Sequence, residues 1–274
     1  MRKEPNDSKL NLWTIGAIAI VAYCLANILH EALGHGGACL LMGVRPKVLN
    51  AIFLEWDSSS VPPLARRIIA AGGGFINLLT GMIALAMLRW AKPSADSLRY
   101  FLWLFATISL LMAFGYVLFS GVFWVGDWKM AFRGLAPEAV VRIGLTFVGA
   151  ALYFVVTPGL ILPSFLDFLS ITPFRESQIR RLLRFPYIVG GTTFIAAGLL
   201  NPHGVKLLML SAVSASFGGT SFLAWCKIPS AIPSFGTRAE NPLVLKFYPG
   251  WITAGIVMLV IFVGILGPGI VFQG

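Results

Sequence analysis

The sequence predicts an all-α fold: a polytopic helical membrane protein with six or seven transmembrane helices in one membrane domain, residues 1–274. Three observations lead there. Hydrophobic residues make up 57% of the chain against 12% charged, and mean hydropathy is +0.83, far from the balance of a soluble domain. The apolar residues are gathered into uncharged runs of roughly the ~20 residues that a helix needs to cross a 30 Å hydrocarbon core. Those runs are apolar on every side, whereas the strands of a membrane barrel alternate apolar and polar positions.

In chain order the runs are Leu10 to Leu29, Ile68 to Leu88, Tyr100 to Gly126, Ile143 to Leu166, Phe185 to Pro202, Leu207 to Cys226 and Phe247 to Gly274. The fifth is short and glycine-rich, which is why the count is six or seven. The first follows "MRK" but is long and ends at no small-residue cleavage site, so it is expected to be a retained span rather than a signal peptide. Cys24, Cys39 and Cys226 are scattered inside or beside spans; they suggest small core residues, not a disulfide framework.

A net charge of +10 raises the question of nucleic acid, but the basic residues are spread among the loops between spans, which excludes that class. They report orientation instead. With a cytoplasmic N-terminus the inner segments hold Arg2, Lys3, Lys9, Arg89, Lys92, Arg99, Arg175, Arg180, Arg181, Arg184, Lys227, Arg238 and Lys246, most of the 21 lysines and arginines. The positive-inside rule favours that orientation. The densest cluster, "RESQIRRLLRF", reads as a stop-transfer segment beside the headgroups.

Ionisable side chains are costly at bilayer depth and are functional candidates by default. The first span runs straight into "HEALGHGG", which holds His30, Glu31 and His35, two of the three histidines in the chain. Two neutral imidazoles and a carboxylate can hold zinc with a fourth position open, and a neighbouring glutamate can take a proton from attacking water. Glu31 is the candidate base. The spacing is unusual, because the familiar metal helix reads H-E-x-x-H and this one has one residue more. On a regular helix four residues turn about 400° and leave two histidines about 40° apart, whereas five turn about 500° and leave them about 140° apart. A single π turn brings residue i+5 back under residue i. The helix is therefore expected to bulge or unwind around Leu33 to Gly36, with Gly34, Gly36 and Gly37 suited to the distortion.

The six residues "HEALGH" resemble the HExxGH motif of the dipeptidyl peptidase III family, in which a helix with one inserted residue still presents both histidines to zinc. The longer stretches "HEALGHGGACLLMGVRP" and "AAGGGFINLLTG" resemble the site-2 protease family of intramembrane zinc metalloproteases, over roughly residues 15 to 135. That resemblance implies a metalloprotease core in residues 10–135, with additional spans in 136–274. It implies a Zn2+ cofactor, Glu31 as catalytic base, a membrane-anchored protein substrate and a bacterial cytoplasmic membrane. On the second stretch Asn77, Gly73 and Gly74 are candidate substrate-binding residues; close helix packing with Asn77 as interhelical glue is the alternative.

The family's third zinc ligand comes from an L-D-G motif that this chain lacks. Asp167 in "PSFLDFLS" keeps the Leu-Asp pair, while Asp127 in "GVFWVGDWKMAF" follows the third span directly. Counting sides of the bilayer favours Asp127 over Asp167, because the end of the first span, the start of the second and the end of the third share one face, while Asp167 ends the fourth span and faces the other way. His203, in the short connection after the fifth span, reaches that face too, as a ligand, a substrate contact or a turn residue. Trp124 and Trp128 read as interface-belt residues, and "PSAIPSF" (229–235) as a loop with access to the site. The competing class is non-enzymatic: an inactive protease-like scaffold, or a transporter using the His/Glu cluster.

Overall fold

The structure is a computed structural model and describes residues 10–57, 59, 61–92, 95–166, 168–169, 175–226 and 243–272. Among them six helices are long and apolar enough to cross a membrane: α1 (Leu12–Leu41), α2 (Pro63–Trp90), α3 (Asp96–Phe123), α5 (Glu138–Leu166), α6 (Glu176–Leu199) and α7 (Val205–Trp225). A short α4 (Asp127–Phe132) follows α3, and a shorter apolar helix, α8 (Pro249–Ile265), comes last. The chain is thus an all-α polytopic protein. Its last apolar run is not a full span: the helix stops at Ile265 and the chain turns into a strand at Ile270.

Local chemistry sets the ends of these helices. Asn11 caps α1, its side-chain oxygen accepting from Thr14 N–H at 3.0 Å. Thr14 Oγ1 then donates to Lys246 O (2.8 Å) and accepts from Tyr248 N–H (3.1 Å), tying the start of α1 to the chain entering α8. Pro63 opens α2 at a position where its missing N–H is not needed. The basic cluster expected to sit at the membrane edge is helical, since the helix begins at its first residues and continues through it.

α3 is the central helix. It packs on α1, α2, α4 and α5, and the Trp103 indole and Tyr100 phenol are buried with their polar atoms satisfied by neighbouring backbone. Trp103 Nε1 donates to Ile161 O at 2.9 Å, and Tyr100 OH to Leu182 O at 2.8 Å. The three cysteines are free and buried, as core residues.

One feature had no sequence forecast. Between α1 and α2 lies a hairpin of β1 (Pro46–Leu49) and β2 (Leu54–Trp56), and β3 (Ile270–Val271) adds to the far side of β1, giving the order β2-β1-β3, antiparallel throughout. Buried asparagines hold it in place: Asn27 donates to Ala51 O, and Asn50 to Gly267 O at 2.5 Å. Ser211 of α7 donates to Ile52 O. The hairpin therefore lies against the same end of the bundle as the His/Glu motif.

Candidate metal centre

α1 does not end at His30; it continues to Leu41 and changes winding on the way. Leu29–Gly36 is a π-helical segment, bracketed by α-helical turns, and Gly37 N–H reaches back to Ala32 O. The wide turn brings the two imidazoles together with centroids 4.8 Å apart and ring planes at 82°. The distortion inferred from the five-residue spacing is present, and it starts earlier, at Leu29.

The glycines serve a different purpose from the one expected. Gly36 and Gly37 have ordinary helical torsions, φ −64° and −61°, so neither is required by the wide turn. Gly34 is the position that admits no side chain: a Cβ there would lie 2.6 Å from Gly73 Cα, in the backbone of α2. Across the contact, a Cβ on Gly72 would strike the Gly34 backbone, and one on Gly73 would strike both imidazoles, 2.6 Å from His35 Nε2. Gly74 lies under the Trp128 indole, where a Cβ would meet Cζ2 at 3.0 Å. The glycines thus let α2 pass directly behind the two histidines.

α2 also orients the rings. His35 Nδ1 lies 2.7 Å from Ile69 O, an acceptor only, so Nδ1 carries the proton and donates it, leaving the Nε2 lone pair free. His30 Nδ1 lies 3.1 Å from the amide of Asn77, which is completely buried. With the amide oxygen turned towards Nδ1–H, a half-turn about χ2 that exchanges two isosteric groups, His30 takes the same tautomer. Asn77 stands behind the His30 ring, Gly73 lies against both imidazoles in the contact between α1 and α2, and Gly74 lies against Trp128 on the wall of a separate apolar cavity.

The third group arrives through a sharp turn. After α3 the chain passes Trp124 in the left-handed region (φ 53°) and Gly126 at φ 79°, ψ −162°, a conformation open essentially to glycine alone. The reversal sends Asp127 back to α1. Its Oδ2 lies 3.4 Å from both His30 Nε2 and His35 Nε2, which are themselves 3.2 Å apart. Burial of this carboxyl opposes ionisation, but the imidazoles of His35 and His30, when protonated at Nε2 as well, outweigh it and hold its pKa below the usual carboxylate range.

These distances fit a metal. Ligand bonds of about 2.0–2.1 Å in a tetrahedron put the ligand atoms about 3.3 Å apart. His30, His35 and Asp127 are the group of metal-ligating side chains that converges among the described residues. His35 and Asp127 face a cavity of about 280 Å³, and so does Glu31. The other walls are Phe53 and Trp56 of the hairpin, Phe119 and Tyr116 of α3, and Ser211 of α7.

His203 is not part of this group; it pairs with Glu55 at 3.7 Å and stacks edge-on against Phe53 at 4.8 Å. Asp167 and the 229–235 loop lie outside the described residues. Tyr116, whose ring centroid is 5.8 Å from that of His30, and Ser211 are cavity residues that sequence reasoning missed. A tyrosine and a serine inside apolar runs carry no spacing signal. Comparison with known proteins finds no matching family model, no matching curated protein and no matching solved structure.

Proposed function

We propose that this chain is a zinc-dependent intramembrane endopeptidase, cleaving membrane-anchored proteins within or beside their membrane-spanning segments. One observation carries the reading: three ligand atoms from α1 and α4 stand 3.2–3.4 Å apart, and Glu31 shares their cavity. Zinc in that position supplies Lewis acidity towards a peptide carbonyl and acidifies water.

The protein's residues supply the rest. Ile69 O and Asn77 fix the imidazole tautomers, an outer layer of hydrogen bonds of the kind that orients metal-ligating histidines. Glu31 accepts the proton of the attacking water and passes it to the leaving amine. The substrate must be unwound, since a helical peptide's carbonyls are hydrogen-bonded and covered. β2 is the sheet's edge strand, and its residues Leu54 and Trp56 line the cavity, so an extended peptide can pair there by strand addition. On this reading the chain sits in a bacterial cytoplasmic membrane with its N-terminus cytoplasmic.

Metal analysis of purified protein should give close to one zinc per chain, lost in a His30→Ala, His35→Ala double variant. Glu31→Gln should keep the zinc and lose cleavage of a co-expressed membrane-anchored reporter. A metal-free wild type sinks the proposal; a zinc-loaded wild type that Glu31→Gln leaves unchanged in every assay points to an inactive scaffold.

A further inference from the structure

We propose that a second site, at the opposite end of the bundle from the metal centre, binds the phosphate headgroup of an anionic phospholipid. The site is a cavity of about 410 Å³ bounded by α2, the start of α3 and the second half of α5. α2 and α5 each pack on α3, which closes the back of the space between them. Nothing in the proposed proteolysis uses it.

Its polarity is graded as a phospholipid's is. Met82, Leu85, Ala86 and Arg89 form one stripe of α2, at spacings of three, one and three residues, all facing the cavity. The stripe runs about 10 Å along the helix from an apolar end to a guanidinium in the last turn. On the facing side Leu160 is partly exposed, and Gly159 leaves open space where a Cβ would meet nothing within 4 Å. An acyl chain fits the apolar end and a headgroup the other.

The cationic end is built from two helices. Arg99 of α3 is held over the Phe168 ring at 5.3 Å and lies 3.6 Å from Asp96, whose other oxygen accepts from Val244 N–H at 3.0 Å. That fixes the guanidinium while its carboxylate partner is shared with the backbone. Arg89 has no carboxylate partner among the described residues. Among the described residues two guanidiniums stand against one carboxylate at this end of the cavity, and a pair of arginines at a gap between membrane helices is suited to a phosphodiester.

Native mass spectrometry of the full chain in neutral detergent, mixed with phosphatidylglycerol or phosphatidylcholine, tests the site. Wild type should retain one phosphatidylglycerol per chain in preference to phosphatidylcholine. Arg89→Gln, an exposed position, should cut that retention about tenfold or more, the loss of one hydrogen bond to a charged group. Leu160→Trp should do the same by filling the apolar end with both arginines intact. Equal retention of the two lipids, or wild-type retention in both variants, overturns the proposal. Displacement of phosphatidylglycerol by inorganic phosphate alone would mean a free-anion site and also overturns it. None of these readouts depends on zinc or cleavage.

Discussion

Two π-helical segments face the same cavity, and they are built in different ways. Leu29–Gly36 in α1 contributes Glu31 and His35, while Leu208–Gly218 in α7 contributes Leu210 and Ser211. The first is clamped from outside: α2 presses glycine against glycine behind it and hydrogen-bonds both rings. The second also packs on a neighbour, α6, at Gly191 and Gly198, and accepts from Tyr187 OH at Phe217 O, but it adds bonds from its own hydroxyls. Ser214 Oγ donates five residues back to Met209 O (3.0 Å) and Ser216 Oγ four back to Ala212 O (2.5 Å), satisfying carbonyls that the wide turn displaces. A wide turn whose purpose is to align two side chains needs a rigid neighbour. One that lets a helix skirt a cavity aligns no such pair, and its own hydroxyls take up part of the bonding that the wide turn displaces.

The largest effect should come from breaking the clamp. Gly34→Ala pushes a methyl into the α2 backbone, and overpacking of this kind costs about 1–3 kcal/mol. Because the same contact sets the imidazole geometry, the variant should also lose most of its zinc. Gly36→Ala, whose Cβ would meet nothing nearer than 3.5 Å, should change neither the thermal unfolding midpoint nor the metal content. Equal effects at the two positions would mean that helix winding, not the α1–α2 contact, is what the glycines protect.

Asn77 sharpens the comparison at one ring. Asn77→Leu keeps the volume and removes the hydrogen bond to His30 Nδ1, so zinc affinity should fall about 10–100-fold, read by competition with a chelator of known affinity. A variant that binds zinc normally but cleaves poorly would return Asn77 to substrate positioning.

The contrast also separates what the residues disclose from what they do not. The π turn of α1 is legible because two histidines five apart make sense together only at a particular winding. Asp127 is legible because a bilayer has two faces and three helix ends can be assigned to one of them. The π turn of α7 has no such pair, and its serines read as ordinary small residues of a span. The hairpin escaped for another reason: strands of four and three residues are too short for alternation to register. The extent of α1 was underestimated because charged and glycine residues normally end a span, whereas here they are buried against α2 and α3. Asn77 and its glycines were visible as a group, but which side of the helix met the histidines was decided only by packing.

The smallest predicted effect lies on the second π segment. Ser211 donates to Ile52 O in the hairpin turn and lines the cavity beside Tyr116, so it joins α7 to the hairpin at the cavity without touching the ligand set. Ser211→Ala removes one hydrogen-bonding group from a partly buried network, worth about 1 kcal/mol, and should lower the unfolding midpoint slightly while zinc content stays at the wild-type level. Its trace should appear instead in cleavage, because the hairpin is the wall along which an extended substrate is proposed to pair. If Ser211→Ala lost zinc as Gly34→Ala is expected to, the two segments would be one cooperative unit and the division between clamp and cavity wall would fail. If it altered cleavage of the reporter with zinc intact, the second π turn would have a role in placing the hairpin.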